Sequence, residues 1–295
     1  MELKQLIGST YVLEGWENLG VYRLDEARCI LLDTGMPGEG DDIVRTLAEA
    51  GLRVVGVLCT HVHIDHAGNN AYFRKKFGAK VAMSKGEAAL CAVPLSVPAH
   101  VTEIDTGRVL KDLGCMVCPA DVVVEPEDRQ VELCGAVFRV VHTPGHSPDH
   151  VCFITPDNVC YVGDALLSGK ELNAKLPCSF SPEADFACKR RLKGLGCTKY
   201  VVSHQGIYDD IDGLVEDNIA LLRARLDAVK ELVTAPMSMD EILAQVCAAF
   251  GLNGNSVPKA GYYEKNVRNY VYALYNEGSL CMEIQGGVRR YQKAE

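Results

Sequence analysis

The sequence predicts a layered α/β fold, with sheets at the centre and helices outside. Short runs of β-branched and aromatic residues, bounded by Gly, Asn or Asp, recur over residues 1 to about 60 and again from about 129 to 206. Such runs are typical of strands. Segments with apolar residues at helical spacing lie between and after them. The alternation of the two patterns indicates central sheets covered by helices.

The first 84 residues contain most of the predicted elements of the amino-terminal half. Strands are predicted over 9–15, 19–25, 27–35, 53–60 and 79–84. Helices are predicted over 41–51 and 68–78, and each ends at a glycine, the usual residue after a helix. The segment 85–121 contains Pro94, Pro98 and Pro119 and is expected to form loops and a short helix near the entrance of the site. Strands are expected again at 129–145, 150–167 and 199–206.

The character of the chain changes at about residue 214. Three helices are predicted over 214–233, 238–251 and 262–278, and the second starts with a capping box, Ser238 and Glu241. A hairpin around Gly286 and Gly287 follows. Three helices and a hairpin resemble a small winged-helix module. We therefore expect two domains, a catalytic domain over 1–213 and a winged-helix-like domain over 214–295.

Composition indicates a cytoplasmic protein. No basic leader precedes an apolar run at the amino terminus, and no apolar stretch reaches the ~20 residues that span a bilayer. The 13 cysteines are odd in number and scattered, so we expect reduced thiols in a packed interior. One close pair, Cys115 and Cys118, fits a redox or metal pair as well as a structural one. The net charge of −9 argues against a nucleic-acid or membrane-binding surface spread over the whole molecule.

The stretch "LCTHVHIDHAGN" contains the most informative cluster of the chain, because His61, His63, Asp65 and His66 occupy six positions. In an extended segment, side chains two residues apart point the same way, so the first three are expected to share one side. His66 departs from this pattern, which fits a chain that turns into a helix near Ala67. Imidazole suits zinc and other first-row metals, and a carboxylate balances their charge.

Four residues cannot complete two metal sites, so further ligands must come from distant segments. The other histidines are His100, His142, His146, His150 and His204. Three of them lie in "VVHTPGHSPDHV" after an apolar strand, His204 ends another strand, and Asp164 ends a third. Polar groups at strand ends are where an α/β core brings ligands together.

These motifs resemble the metallo-β-lactamase superfamily of metallohydrolases. "THVHIDH", "TPGHS", "VGD" and "SHQG" follow one another in the order of that family, and "LLDTG" matches its early Asp-Thr-Gly segment. The resemblance covers about residues 5–210. It implies a four-layered αβ/βα sandwich with a metal cleft at one edge.

The resemblance also implies the ligand set. One metal ion would bind His61, His63 and His146, and a second would bind Asp65, His66 and His204. Asp164 would bridge the two ions, and Asp33 would steady the ligand loop from behind. The choice of His146 follows the position of the ligand after Pro-Gly, which leaves His142 and His150 with structural or supporting roles. His100 is expected to be unrelated to the metals.

The implied chemistry is hydrolysis. Two divalent ions, zinc in the first place with iron or manganese as alternatives, share a water and lower its pKa, so that a bridging hydroxide attacks the substrate. Asp65 is also a candidate for transferring a proton. The full ligand set resembles that of glyoxalase II, lactonases and ribonuclease Z, and we favour a small-molecule thioester or lactone as substrate. The bridging Asp164 and the absence of a leader count against antibiotic hydrolysis.

Two alternatives stay open. The first is an iron-dependent oxidoreductase similar to persulfide dioxygenase, which uses much the same ligands. The second is an RNA or phosphodiester hydrolase, since winged helices often bind nucleic acid. Residues 211–295 carry 9 Lys and Arg against 11 Asp and Glu, a charge of −2, which disfavours phosphate binding. The tail is instead expected to pack on the catalytic domain and to shape the pocket or a homodimer contact.

Overall fold

Two sheets form the centre of the protein. The computed structural model describes residues 1–94, 96 and 106–294. For residues 106, 108, 257 and 258 only the backbone is described. The first sheet has seven strands in chain order, antiparallel from β1 to β4 and parallel from β4 to β7. Its strands are β1 Glu2–Ile7, β2 Thr10–Glu14, β3 Leu19–Arg23, β4 Arg28–Leu32, β5 Arg53–Leu58, β6 Lys80–Ser84 and β7 Val122–Val124.

The second sheet has six strands in the order β13-β12-β11-β10-β9-β8. Only β11 and β12 are parallel among its neighbouring strands in the described part of the chain. Its strands are β8 Gln130–Leu133, β9 Ala136–His142, β10 Val151–Ile154, β11 Val159–Gly163, β12 Lys199–Val202 and β13 Ile207–Tyr208. Each sheet therefore contains parallel strands whose carboxyl ends point to one edge.

Helices cover the outer faces of both sheets. The α-helices are α1 Gly40–Glu49, α2 Ile64–Ala67, α3 Asn70–Phe77, α4 Lys85–Cys91, α5 Thr106–Leu113, α6 Pro182–Leu192, α7 Asp212–Leu232, α8 Met239–Phe250 and α9 Val257–Asn276. Ile43 of α1 and Phe73 of α3 are buried against the first sheet. Leu58, Phe138 and other side chains fill the space between the sheets. Helix α7 closes the outer face of the second sheet. The predicted four-layered sandwich is confirmed.

The tail packs around one core, formed by α7, α8, α9 and the hairpin of β14 Leu280–Gln285 and β15 Val288–Lys293, together with Leu176 and with Phe186 of α6. The predicted capping box of Ser238 and Glu241 is present at the start of α8. Helix α7 contributes Leu214 to the outer core of the second sheet and Leu226 to the tail core. The same helix therefore joins both parts, and the domain boundary at 213/214 and the winged-helix resemblance stay predictions.

The segment 85–121 is more regular than expected. Its described part contains α4, α5 and a short 3-10 helix, Gly114–Met116, where one short helix was predicted. All thirteen cysteines are free thiols, among them Cys115 and Cys118. No helix of the described ranges is both long enough and apolar enough to cross a membrane.

Candidate metal centre

The residues expected to bind metal all lie at one edge of the sandwich, just beyond strand ends. Asp33 follows β4, Asp164 follows β11, and His61 and His204 come shortly after β5 and β12. Because β4 pairs in parallel with β5, and β11 with β12, their carboxyl ends meet there. His146 comes from the loop that joins β9 to β10. The fold thus brings together side chains that are more than 140 positions apart in the sequence.

The cluster at 61–66 is not extended as expected. Helix α2 begins at Ile64, with His63 at its N-cap in an extended conformation. Asp65 therefore lies on a helix, and the expectation that it extends a strand with His61 and His63 is wrong. Successive residues of a helix point about 100° apart, so Asp65 and His66 do not follow the two-residue alternation of an extended segment. This early turn separates the cluster into two pairs.

The first donor group consists of three imidazole nitrogens and one carboxylate oxygen. Nε2 of His61 lies 2.9 Å from Nδ1 of His63, which lies 3.0 Å from Nε2 of His146. Oδ2 of Asp164 lies 3.4 Å from Nε2 of His146. His61 and His146 are buried. One ligand atom from each of these residues lies within 4.8 Å of all the others.

The second donor group lies on the other side of Asp164. Nε2 of His66 is 3.4 Å from Oδ1 of Asp164 and 3.9 Å from Oδ1 of Asp65. Nε2 of His204 is 3.4 Å from Oδ2 of Asp65 and 3.5 Å from Oδ1 of Asp164. The two oxygens of Asp164 therefore face different donor groups, as a bridging carboxylate requires.

The donors fit metal ions. Two nitrogens bound at ~2.1 Å to one tetrahedral ion are about 3.4 Å apart. The separations given above range from 2.9 to 3.9 Å and bracket this value. Nε2 of His66 and Oδ1 of Asp164 are also buried without a hydrogen-bond partner among the described residues. Buried polar atoms are costly unless they are satisfied, and a cation between them would satisfy both.

The three histidines of the first donor group have lowered pKa values. Burial lowers the pKa of His61 well below its usual range, that of His63 to about 3 and that of His146 to about 4. All three are neutral near pH 7, the form in which imidazole binds metals.

The second donor group carries an excess of carboxylate charge. Burial alone would lower the pKa of His204, but the neighbouring carboxylates of Asp164 and Asp65 raise it to about 10. Burial opposes ionisation of Asp164, yet the neighbouring His66 and His204 hold its pKa well below the usual range. The carboxylates of this group therefore attract cations, whether protons or metal ions.

Asp33 lies behind the donor cluster and contacts it through hydrogen bonds. Its carboxylate accepts hydrogen bonds from the backbone N–H and the hydroxyl of Thr60, both at 2.7 Å, and lies 3.0 Å from Nδ1 of His66. Asp33 has a φ of 62°, a left-handed conformation in which aspartate is tolerated better than most residues. The turn after β4 is thus shaped to present this carboxylate, which orients the ring of His66.

Two buried glutamates beside the site were not predicted. Glu87 accepts hydrogen bonds from the backbone N–H groups of Val62 and Asp149, both at 3.0 Å, and from the hydroxyl of Ser147 at 2.6 Å. It therefore connects the loop of His61 and His63 to the loop that carries the third imidazole. Burial raises the pKa of Glu87. A single glutamate in "SKGEAALC" has no spacing that would indicate this role.

Glu17 is the second unpredicted carboxylate. It lies in the loop between β2 and β3, and its Oε1 is 3.0 Å from Nδ1 of His66, next to Asp33. Burial raises the pKa of Glu17 to about 7. No local sequence signal distinguishes it from a surface glutamate.

The other two histidines of the described ranges, His142 and His150, do not belong to the donor groups. Nε2 of His150 accepts a hydrogen bond at 3.2 Å from the backbone N–H of Asp164, and its Nδ1 lies 2.8 Å from the hydroxyl of Thr143. His150 thus holds the backbone of Asp164 in place. His142 contacts the carbonyl of Asp128 at 3.0 Å, outside the cluster. His100 lies outside the described residues.

Comparison with known proteins agrees with this geometry. The family model described as the metallo-beta-lactamase superfamily matches residues 14–204. A hydroxyacylglutathione hydrolase of Haemophilus influenzae is 27% identical over 146 residues, which cover 49% of this chain and 64% of that protein. An atrochrysone carboxyl ACP thioesterase of Aspergillus chevalieri is 24% identical over 275 residues, which cover 89% of this chain and 77% of that protein.

A solved structure of a metallo-beta-lactamase family protein from Thermus thermophilus has the same fold. Its TM-score is 0.72 at 22% identity, over 97% of this chain and 98% of that chain. A sandwich of two mixed sheets with a histidine and aspartate cluster at one edge defines a class of metalloproteins. Within that class, the chain belongs to the metallo-beta-lactamase superfamily, and the predicted family is confirmed.

Proposed function

We propose that the protein is a dinuclear metal-dependent hydrolase that cleaves the thioester or lactone bond of a small molecule. The observation that carries the proposal is the position of Asp164, whose Oδ2 faces the first donor group while its Oδ1 faces the second. The relatives named hydrolase and thioesterase support the reaction class. The similarity to the thioesterase extends over 89% of this chain.

Each donor group has a distinct part. His61, His63 and His146 would hold one ion, and Asp65, His66 and His204 the other. When bound, two divalent ions lower the pKa of a shared water and polarise a substrate carbonyl. Asp33, Glu87 and His150 fix the positions of the ligands through hydrogen bonds.

Asp65 is the candidate for proton transfer. Burial opposes its ionisation, but the contact with His204 and the charge of His66 lower the pKa of Asp65 to about 2. It is therefore ionised at neutral pH, and it is less buried than Asp164. In thioester hydrolysis, water adds to the carbonyl carbon and the carbon–sulfur bond breaks. Asp65 would accept the proton of the attacking water and return it to the departing thiolate.

The test compares metal content and activity in the wild type and three variants. His61→Ala and His204→Ala each remove a donor from a different group, and His142→Ala removes a histidine outside the cluster. We expect two ions per chain in the wild type and in His142→Ala, and fewer in the other two. Hydrolysis of an acyl thioester, a lactone and a phosphodiester is measured after reconstitution with zinc, manganese or iron. Retained metal and activity in His61→Ala would contradict the assignment.

A further inference from the structure

Exposed aromatic side chains are concentrated around the donor cluster. Four of the large apolar side chains that are exposed in the described ranges are aromatic, namely Trp16, Phe180, Tyr262 and Tyr275. Their exposed fractions are 62%, 44%, 43% and 43%. The first three lie beside residues of the candidate site. Single exposed apolar residues are ordinary, but several around one cleft are typical of a ligand-binding surface.

Trp16 lies against the second donor group. Its ring is edge-on to the imidazole of His204, with 4.9 Å between the centroids. The residues on both sides of it are anchored. Glu17 is buried against His66, and Asn18 donates a hydrogen bond from its backbone to the carbonyl of Ser203 at 2.7 Å. The exposed indole is therefore held in place at the cleft and is not part of a loosely attached loop.

Phe180 lies at the opposite end of the cluster. Its backbone N–H donates a hydrogen bond at 3.3 Å to the carbonyl of His146, a ligand of the first donor group. The preceding Ser179 is buried and receives a hydrogen bond at 3.1 Å from Asn269 of α9. The ring of Phe180 is thus also carried by an anchored segment.

Tyr262 completes the set from the tail. It lies on α9, and its hydroxyl lies close to the thiol of Cys178. Cys178 lines a cavity that also contains Asp164 and His146. The tail therefore contributes an aromatic side chain to the surroundings of the metal centre.

We propose that Trp16, Phe180 and Tyr262 form an aromatic rim that binds an aryl or other bulky apolar group of the substrate, next to the bond that is cleaved. This inference rests on the proposed hydrolase function and narrows its substrate class. Aromatic rings give a large apolar contact area, and binding pockets are lined mostly by such side chains. A substrate with a small polar acyl group would leave this surface exposed to water.

The first experiment measures selectivity on two pairs of thioesters. The acyl pair is S-phenylacetyl- and S-acetyl-N-acetylcysteamine, and the thiol pair is the acetyl thioester of 2-phenylethanethiol and that of ethanethiol. We expect kcat/KM to favour the aryl member of at least one pair by about tenfold or more. A preference within the acyl pair indicates that the rim binds the acyl group, and a preference within the thiol pair indicates that it binds the thiol group.

Variants test whether the rim causes that preference. Trp16→Ala and Phe180→Ala should each lower the aryl-to-alkyl ratio of kcat/KM, by up to about tenfold. The main cause should be a higher KM for the aryl substrate. Tyr275→Ala is the matched control, an exposed aromatic that contacts no residue of the site in the described structure, and it should leave the ratio unchanged. Equal kcat/KM within both pairs, or a ratio that neither rim variant changes, would overturn the inference.

A binding measurement separates the inference from the proposed reaction. Trp16 is the single tryptophan of the chain, so the intrinsic fluorescence reports on the rim directly. We expect 4-phenylbutan-2-one, which is not hydrolysed, to change this fluorescence in a saturable way, and butan-2-one to leave it unchanged. A response without thioester turnover would support the rim and contradict the proposed reaction. Turnover of the acetyl thioester without any response would contradict the rim alone.

Discussion

Glu87 offers a test of how the ligand loops are held, because one carboxylate connects both of them. The change is Glu87→Gln, which keeps the shape of the side chain and replaces one acceptor oxygen by an amide. Glu87 receives hydrogen bonds from three groups, of which the backbone N–H groups of Val62 and Asp149 can only donate. Whichever way the amide is turned, one of these N–H groups faces another donor.

The magnitude follows from the hydrogen bonds lost. A buried N–H without an acceptor costs about 1–3 kcal/mol, and the remaining bonds weaken because the acceptor is no longer charged. One effect acts in the opposite direction and stabilises the variant. Burial raises the pKa of Glu87 and so disfavours its charged form, whereas the neutral amide of Glu87→Gln has a smaller desolvation cost. We expect a net loss of about 2 kcal/mol in the free energy of unfolding, or about 3 °C in Tm.

Two measurements check this expectation. Urea unfolding of the metal-free protein, followed by circular dichroism, gives the loss of stability. Zinc titration against a chelator gives the affinity of the site, which should fall about tenfold because the loops of His63 and His146 lose their connection. Ser147→Ala is the control, as it removes one of the three bonds and should cost only about 1 kcal/mol. Unchanged unfolding and unchanged zinc affinity in Glu87→Gln would refute the reasoning.

Three further changes test neighbouring groups. Asp33→Asn removes the charge behind His66 and should weaken metal binding about 10–100-fold in chelator competition; equal affinity would contradict its role. Burial raises the pKa of Glu17 from 4.5 to about 7, so the folded protein favours the protonated carboxyl. The stability that this carboxyl contributes is fully present below pH 4.5 and is lost as the pH rises through about 7, because a buried carboxylate must then be charged. Glu17→Gln should therefore be more stable than the wild type at pH 8, by up to about 3 kcal/mol, with no difference near pH 4 in urea unfolding. Lys189 lies 2.5 Å from Asp185, and both are buried, so Lys189→Met should cost about 3–5 kcal/mol. Adding Asp185→Asn should restore part of that loss, and a purely additive double variant would contradict a coupled pair.

Local sequence patterns predicted most of the secondary structure. Apolar runs indicated most strands of both sheets, although β1 and β7 were not predicted, and the capping box at Ser238 marked the start of α8. Helix α6 was not predicted, because it buries the charged side chains of Asp185 and Lys189 and so lacks a clear apolar stripe. The segment 85–121 was also predicted poorly. Its prolines indicated loops, while the short helices that it contains depend on packing against the first sheet.

The sequence by itself determined which side chains are available to form a metal centre. The types and order of His61, His63, Asp65, His66, His146, Asp164 and His204 were readable because motif residues are close in the chain or follow recognisable strands. Their assignment as metal ligands stays a prediction, and the structure adds that they converge. What the sequence could not show is how the carboxyl ends of parallel strands in two different sheets meet at one edge.

Only the tertiary structure decided the surroundings of that centre. Glu17, Glu87 and His150 are ordinary residues in the sequence, and they gain their roles by burial next to groups far away in the chain. Glu87 bonds to residues 25, 60 and 62 positions away. Trp16 is brought against His204 in the same way. Local patterns carry information about neighbours within a few residues, whereas hydrogen bonding, desolvation and the shape of the cleft depend on contacts that exist only after the two sheets have packed.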